Sequence, residues 1–296
     1  MLSKLQLSII DTLARSIYKH NDYKRQLNLI ISKLNKYKST NNETIGISAE
    51  WAMEDVFGIP HTKQYDTRIN SEYVDKITGC INSYQSKYEG TPWEIPTVSE
   101  SLGYKNKKSD FMYLNGDTMS LKTLQKKDGK ICPQITGQPT INSFDTKHFS
   151  EWHLQLHNEP LPTHKQGKRE YHSERFEWIR NNIKQFISTQ LSNVFCCNDL
   201  ILISNCNGKT PKLEFIKKVP DEYFNDKQLI FTRDNYEELW NEKTQKYSEF
   251  STTIKMTVPN STNPMAVGEL QFHKGRAGIK FRFCKKFLLF AAGDGR

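Results

Sequence analysis

Asp110 and Lys122 are the residues whose types and spacing most directly suggest chemistry. They bracket the run Asp110-Phe-Met-Tyr-Leu-Asn-Gly-Asp-Thr-Met-Ser-Leu-Lys122. Within it, Asn115-Gly116-Asp117 is a strong turn signal between two short strand-like runs. A three-residue loop that pairs Leu114 with Thr118 sets Met112 opposite Ser120 and Asp110 opposite Lys122. Period-2 alternation then puts Asp110, Met112, Ser120 and Lys122 on one face, and Phe111, Tyr113, Met119 and Leu121 on a largely apolar one. A two-residue loop would shift this register by one. A carboxylate of this kind can hold a hard divalent cation. An ammonium beside it can polarise a water and offset phosphate charge. The same two groups can equally form a cross-strand ion pair at a sheet edge, worth about 0–1 kcal/mol. Asp117 reads as a turn residue.

The hairpin needs further carboxylates and a scaffold. Residues 45–57 read as a helix, with Ser48 as N-cap and Gly58 and Pro60 as the stop. Glu50 and Glu54 lie four apart and share one of its faces. Two like charges on one face repel, so solvent, a nearby lysine or a metal must favour them. Residues 4–38 carry apolar positions at helical spacing and a basic outer face, either a solvated helix pair or a DNA-binding arm. Residues 70–87 and 172–195 read as helices. Leu200–Ile203 and Lys212–Ile216 read as a hairpin, Asp234–Trp240 as a short helix, and Thr252–Val258, Glu269–Phe272 and Ile279–Phe283 as strands. Residues 133–148 read as irregular. The expected fold is mixed α+β: a central mixed sheet flanked by helices, in one domain over 1–296.

An Asp at the start of one strand and an acid-x-Lys on the next is the signature of the PD-(D/E)xK nucleases, and the run Asp110…Ser120-Leu121-Lys122 resembles it. Ser109 stands in place of the Pro, and Ser120 in place of the second acid. A subgroup of type II restriction endonucleases also has Ser-x-Lys and takes a glutamate from a nearby helix. Glu50, in Ser-Ala-Glu-Trp-Ala, resembles that helical glutamate. The resemblance covers residues 48–124, the nuclease core. It implies Mg²⁺ held by Asp110 and Glu50 with Glu54 behind them, Lys122 beside the attacking water, and 5′-phosphate ends. It also implies duplex DNA as partner, a homodimer on a palindromic site, and a restriction role in the cytoplasm.

DNA contacts have their own candidates. Gln134, Gln138 and Asn142 are amides suited to base edges, or members of an ordinary loop. Lys274, Arg276, Lys280 and Arg282 lie in a closing stretch that alternates basic and apolar residues. There Lys280 and Arg282 share a face opposite Ile279, Phe281 and Phe283, suited to backbone phosphates. His153 and His157 are four apart and can share a helical face, but no H-E-x-x-H occurs. Cys196, Cys197 and Cys206 are poorly spaced for one zinc.

Composition fits these readings. The 296 residues carry 42 Lys and Arg against 33 Asp and Glu, a net +9, with a mean hydropathy of −0.70. Residues 1–40 hold eight basic residues against two acids, and residues 271–296 seven against one. Residues 41–80, which contain Glu50 and Glu54, hold three basic residues against seven acids. Cations toward the chain's two ends and carboxylates between them suit a phosphate-binding, metal-dependent site. No apolar run reaches the roughly 18 residues of a membrane span. The first residues lack a signal-peptide pattern, and the six cysteines are expected as reduced thiols. A nucleic-acid-binding protein without chemistry, and a structure-specific repair nuclease of the same fold, are the alternatives.

Overall fold

A computed structural model describes residues 42–61, 68–102, 109–137, 144–163, 170–195, 199–237, 240–241, 246–247, 250–258, 261–272 and 279–293. The basic segment 1–40, with Gln138, Asn142, Lys274, Arg276, Cys196 and Cys197, lies outside these residues.

Two antiparallel-rich sheets organise the chain. The first has the order β1 (Val98–Ser101), β2 (Phe111–Tyr113), β3 (Thr118–Thr123), β5 (Asp199–Ser204), β6 (Lys212–Lys217). It is mixed: β3 and β5 run parallel, and the other pairs are antiparallel. A parallel pair needs a long crossover, and here α5 (His172–Asn181) and α6 (Ile183–Val194) lie within it. Central strand β5 is buried at every position, so it reads as a continuous apolar run rather than an alternating one. The second sheet has the order β4 (Lys130–Ile131), β12 (Ile279–Cys284), β11 (Met265–Phe272), β10 (Phe250–Met256), β7 (Leu229–Phe231). On its central strands β10 and β12 buried and half-buried residues alternate strictly. This is the expected mixed α+β architecture, a mixed sheet flanked by helices.

The first sheet has a distinct core on each face. On one side α1 (Asn42–Phe57) and α2 (Ser71–Tyr88) bury Ile45, Ala49, Met53, Ile77 and Ile81 against Phe111, Tyr113, Met119, Leu121, Ile201 and Phe215. On the other, Leu200, Leu202 and Ile216 join α5, α6 and the second sheet in an aromatic-rich core with Phe176, Phe186, Phe272 and Phe281.

Four local expectations change. Helix α1 begins at Asn42, and Ser48 is interior: its buried hydroxyl donates back to the Thr44 carbonyl and accepts from the Asn70 amide. Helix 172–195 breaks at Asn182, where the backbone leaves helical geometry at φ −122° and ψ 35°; its side-chain amide shares the Trp178 carbonyl with its own backbone N–H. Residues 234–237 are not helical, and Trp240 begins the two-residue strand β8, which pairs with β9 (Lys246–Tyr247). Residues 133–148 are partly helical: α3 (Gln134–Gly137), then a π-helical turn from Asp145 that leads into α4 (Ser150–His157).

Candidate active site

The β2–β3 hairpin keeps the expected faces but closes in a different register. Phe111 pairs with Met119 and Met112 with Thr118. The loop is therefore Leu114-Asn115-Gly116, one residue earlier than the sequence suggests. Asn115 accepts from the Asp117 amide, and Gly116 sits at φ +87°, where only glycine is unstrained. Leu114 is thrown out to solvent. The shift is two residues, an even number, so no side chain changes face. Phe111, Tyr113, Met119 and Leu121 are all buried, and Asp110, Ser120 and Lys122 lie on the opposite face.

Asp110 is tightly held. Its amide donates to the Met119 carbonyl and its carbonyl accepts from the Leu102 amide. Its Oδ2 accepts from the Leu121 amide at 2.6 Å and from the Ser120 hydroxyl at 3.1 Å. Lys122 Nζ stands 3.6 Å from the same oxygen and 3.3 Å from Ser120 Oγ. Oδ1 has no partner among the described residues. Both charged side chains are about a quarter exposed, 22% and 26%. In such a setting the pair itself adds about 0–1 kcal/mol to stability.

The structure thus brings Asp110, Ser120 and Lys122 together. Glu50 is half-buried on α1, which packs on the Met119–Leu121 side of the sheet; Gly46, one turn before Glu50, lies against Thr123. Glu54 is buried, and its carboxylate meets His61 Nδ1 at 3.2 Å. His61 also contacts Asp55 through Nε2 and stacks on Trp51 at 3.7 Å. The structure adds a further carboxylate that the sequence pattern does not mark. Glu100 pairs with Met112 on β1, so it shares the face of Asp110 and Lys122. The bulge at Ser99, whose hydroxyl bonds the Met112 and Tyr113 carbonyls, establishes that register.

Of the residues named for DNA contacts, Gln134 opens α3. Lys280 and Arg282 are half-buried on one face of β12, with Ile279, Phe281 and Phe283 buried on the other. Arg282 is paired with Glu269, which also receives Lys130 at 2.9 Å. Burial pushes the Glu269 carboxyl up, but the hydrogen bonds and charges of Lys130 and Arg282 together hold it below its usual value. Lys280 has no carboxylate partner among the described residues.

The hard-oxygen chemistry of this face suits Mg²⁺: Asp110 Oδ1 is uncommitted among the described residues, and Glu100 is carried on the neighbouring strand. Among the described residues no helix is long and apolar enough to cross a membrane.

Fold and site together define a mixed α+β protein with an acid–lysine pair on the face of a mixed sheet. The chain is similar, at 27% identity over 186 residues, to the type II restriction enzyme CviAII of Paramecium bursaria Chlorella virus 1. The match takes in 62% of this chain and 44% of that enzyme, so the chain spans less than half the length of this relative. No protein-family model and no solved structure matches the chain.

Proposed function

We propose that the protein is a Mg²⁺-dependent double-stranded DNA endonuclease of the PD-(D/E)xK kind, acting in restriction and leaving 5′-phosphate ends. The single observation that carries the proposal is the Asp110–Ser120–Lys122 cluster on one sheet face. The similarity to a type II restriction enzyme supports the same reading.

Asp110 would hold the ion, with a second carboxylate from Glu50, on the resemblance, or from Glu100, on the register. Glu54 stands behind Glu50 and is in contact with His61. When bound, Mg²⁺ supplies positive charge to the scissile phosphate and lowers the pKa of a water. The chain's own residues do the rest. The Leu121 amide and Ser120 hydroxyl fix the Asp110 carboxylate, so it need not reorganise when charge develops. Lys122, held at the same oxygen, is the cation that faces the phosphate and orients the attacking water. Lys280 and Arg282, with Gln134, Gln138, Asn142, Lys274 and Arg276, are proposed to contact the duplex. A palindromic target calls for a homodimer with one site per strand.

Incubation of purified protein with plasmid and Mg²⁺ tests the proposal. Cleavage that disappears in Asp110→Asn and Lys122→Met, with DNA binding retained, supports it. DNA binding without Mg²⁺-dependent cleavage by the wild type points instead to a non-catalytic DNA-binding protein. Comparison of Glu50→Gln with Glu100→Gln assigns the second carboxylate.

A further inference from the structure

A second constellation lies on other elements and has different donor chemistry. His153 and His157 are one turn apart on α4, and Glu174 is in the first turn of α5. One ligand atom from each lies within 4.8 Å of the other two. His153 Nδ1 is 3.3 Å from Glu174 Oε2, and His157 Nε2 contacts Glu174 Oε1, so each carboxylate oxygen faces one imidazole. Tyr171 packs edge-on against His153 at 4.4 Å and tilted against His157 at 5.4 Å, which limits how far either ring can turn. The three groups grade from buried to open: 1% exposure at His153, 20% at Glu174 and 37% at His157.

We infer that His153, His157 and Glu174 form a transition-metal site of the class that takes Zn²⁺. Two imidazole nitrogens and one carboxylate are a recurrent three-ligand zinc set, and a fourth position is left to water. Zinc bonds of ~2.0 Å at tetrahedral angles place ligand atoms about 3.3 Å apart, the separation already present between His153 and Glu174. Spacing of four along α4 is what lets two histidines reach one ion. Imidazole ligands favour zinc-like ions over Mg²⁺, which prefers oxygen and keeps its waters. The ion would tie α4 to α5. The inference is independent of the nuclease reading, since Asp110 and Lys122 are on β2–β3 and offer no nitrogen donor suited to zinc.

The test uses the full chain stripped with EDTA, then titrated with Zn²⁺ or with Co²⁺ as a coloured probe. The expected result is one ion per chain, a visible Co²⁺ d–d spectrum that a large excess of Mg²⁺ leaves unchanged, and an unfolding midpoint raised by about 5 °C when Zn²⁺ is at 100 times its Kd. Glu174→Gln and His157→Gln should each weaken Zn²⁺ binding by at least about 100-fold. Their unfolding midpoints in EDTA, close to that of the wild type, establish that both fold. No ion bound by the wild type, or undiminished Zn²⁺ binding by either variant, overturns the site.

Discussion

Lys285→Met should destabilise the protein by about 3 kcal/mol. Lys285 opens α7 (Lys285–Ala291), directly after the last strand of the second sheet, and is 7% exposed. Its Nζ lies 2.9 Å from Glu214 Oε2 and donates to Ser204 Oγ at 2.8 Å, both in the first sheet. It therefore bridges the two sheets, and Glu214 is equally buried. Removing one member of a buried ion pair typically costs 3–5 kcal/mol, because the other charge stays behind without compensation. Lys212 lies 3.0 Å from the second oxygen of Glu214 but is largely exposed, so it keeps part of the compensation and the cost falls at the lower end, about 3 kcal/mol. At about 2–3 °C per kcal/mol for a chain of this size, the melting point should drop by roughly 6–9 °C. Urea unfolding followed by circular dichroism measures this directly. Lys285→Met/Glu214→Leu should recover most of the loss, since an apolar pair of similar volume carries no desolvation penalty. A single variant within about 1 kcal/mol of the wild type, or a double variant no better than the single, refutes the reasoning.

Three further outcomes are expected. Gly268→Ala should cost about 1–3 kcal/mol, because an added Cβ would sit 2.4 Å from the Phe281 ring and 2.7 Å from the Arg282 carbonyl; denaturant midpoints check it. Burial pushes the Cys206 thiol up to about 11, so thiol-specific alkylation at pH 8 should leave Cys206 unmodified until the protein unfolds, as peptide mass spectrometry would show. Glu269 has its carboxyl held below the ordinary value, so its contribution to stability is present above about pH 4.3 and is lost as pH falls through the folded value. The stability gap between wild type and Glu269→Gln should therefore shrink on acidification through that range; a gap constant from pH 7 to pH 3 contradicts the pairing.

Legibility in the sequence followed the range of the forces involved. The alternation of Ile279–Phe283 and the two faces of the Asp110–Lys122 hairpin are set by period 2, which survives any even register shift. The register itself is not legible, because the Asn115 side chain captures the Asp117 amide and the loop closes one residue early. The break at Asn182 is a local departure from helical backbone geometry, and the apolar spacing of residues 172–195 runs straight through it. The parallel pairing of β3 with β5 joins residues some 80 apart, and nothing local announces it. Glu100 shares the Asp110 face only through a bulge at Ser99, which shifts the β1 register by one and is invisible before pairing is known. His153 and His157 were legible as a pair on one helix face, but Glu174 was not, because it arrives from the next helix.

In the proposed mechanism the Asp110–Lys122 cluster performs phosphodiester hydrolysis. Single-turnover cleavage of a plasmid with Mg²⁺ by Asp110→Asn, set beside the wild type and a gel-shift measurement of DNA binding, tests it most directly. The expected result is wild-type cleavage at defined positions, a loss on the order of 10²–10³ or more in the variant, and DNA binding within a few-fold of the wild type. Cleavage by Asp110→Asn at the wild-type rate would contradict it.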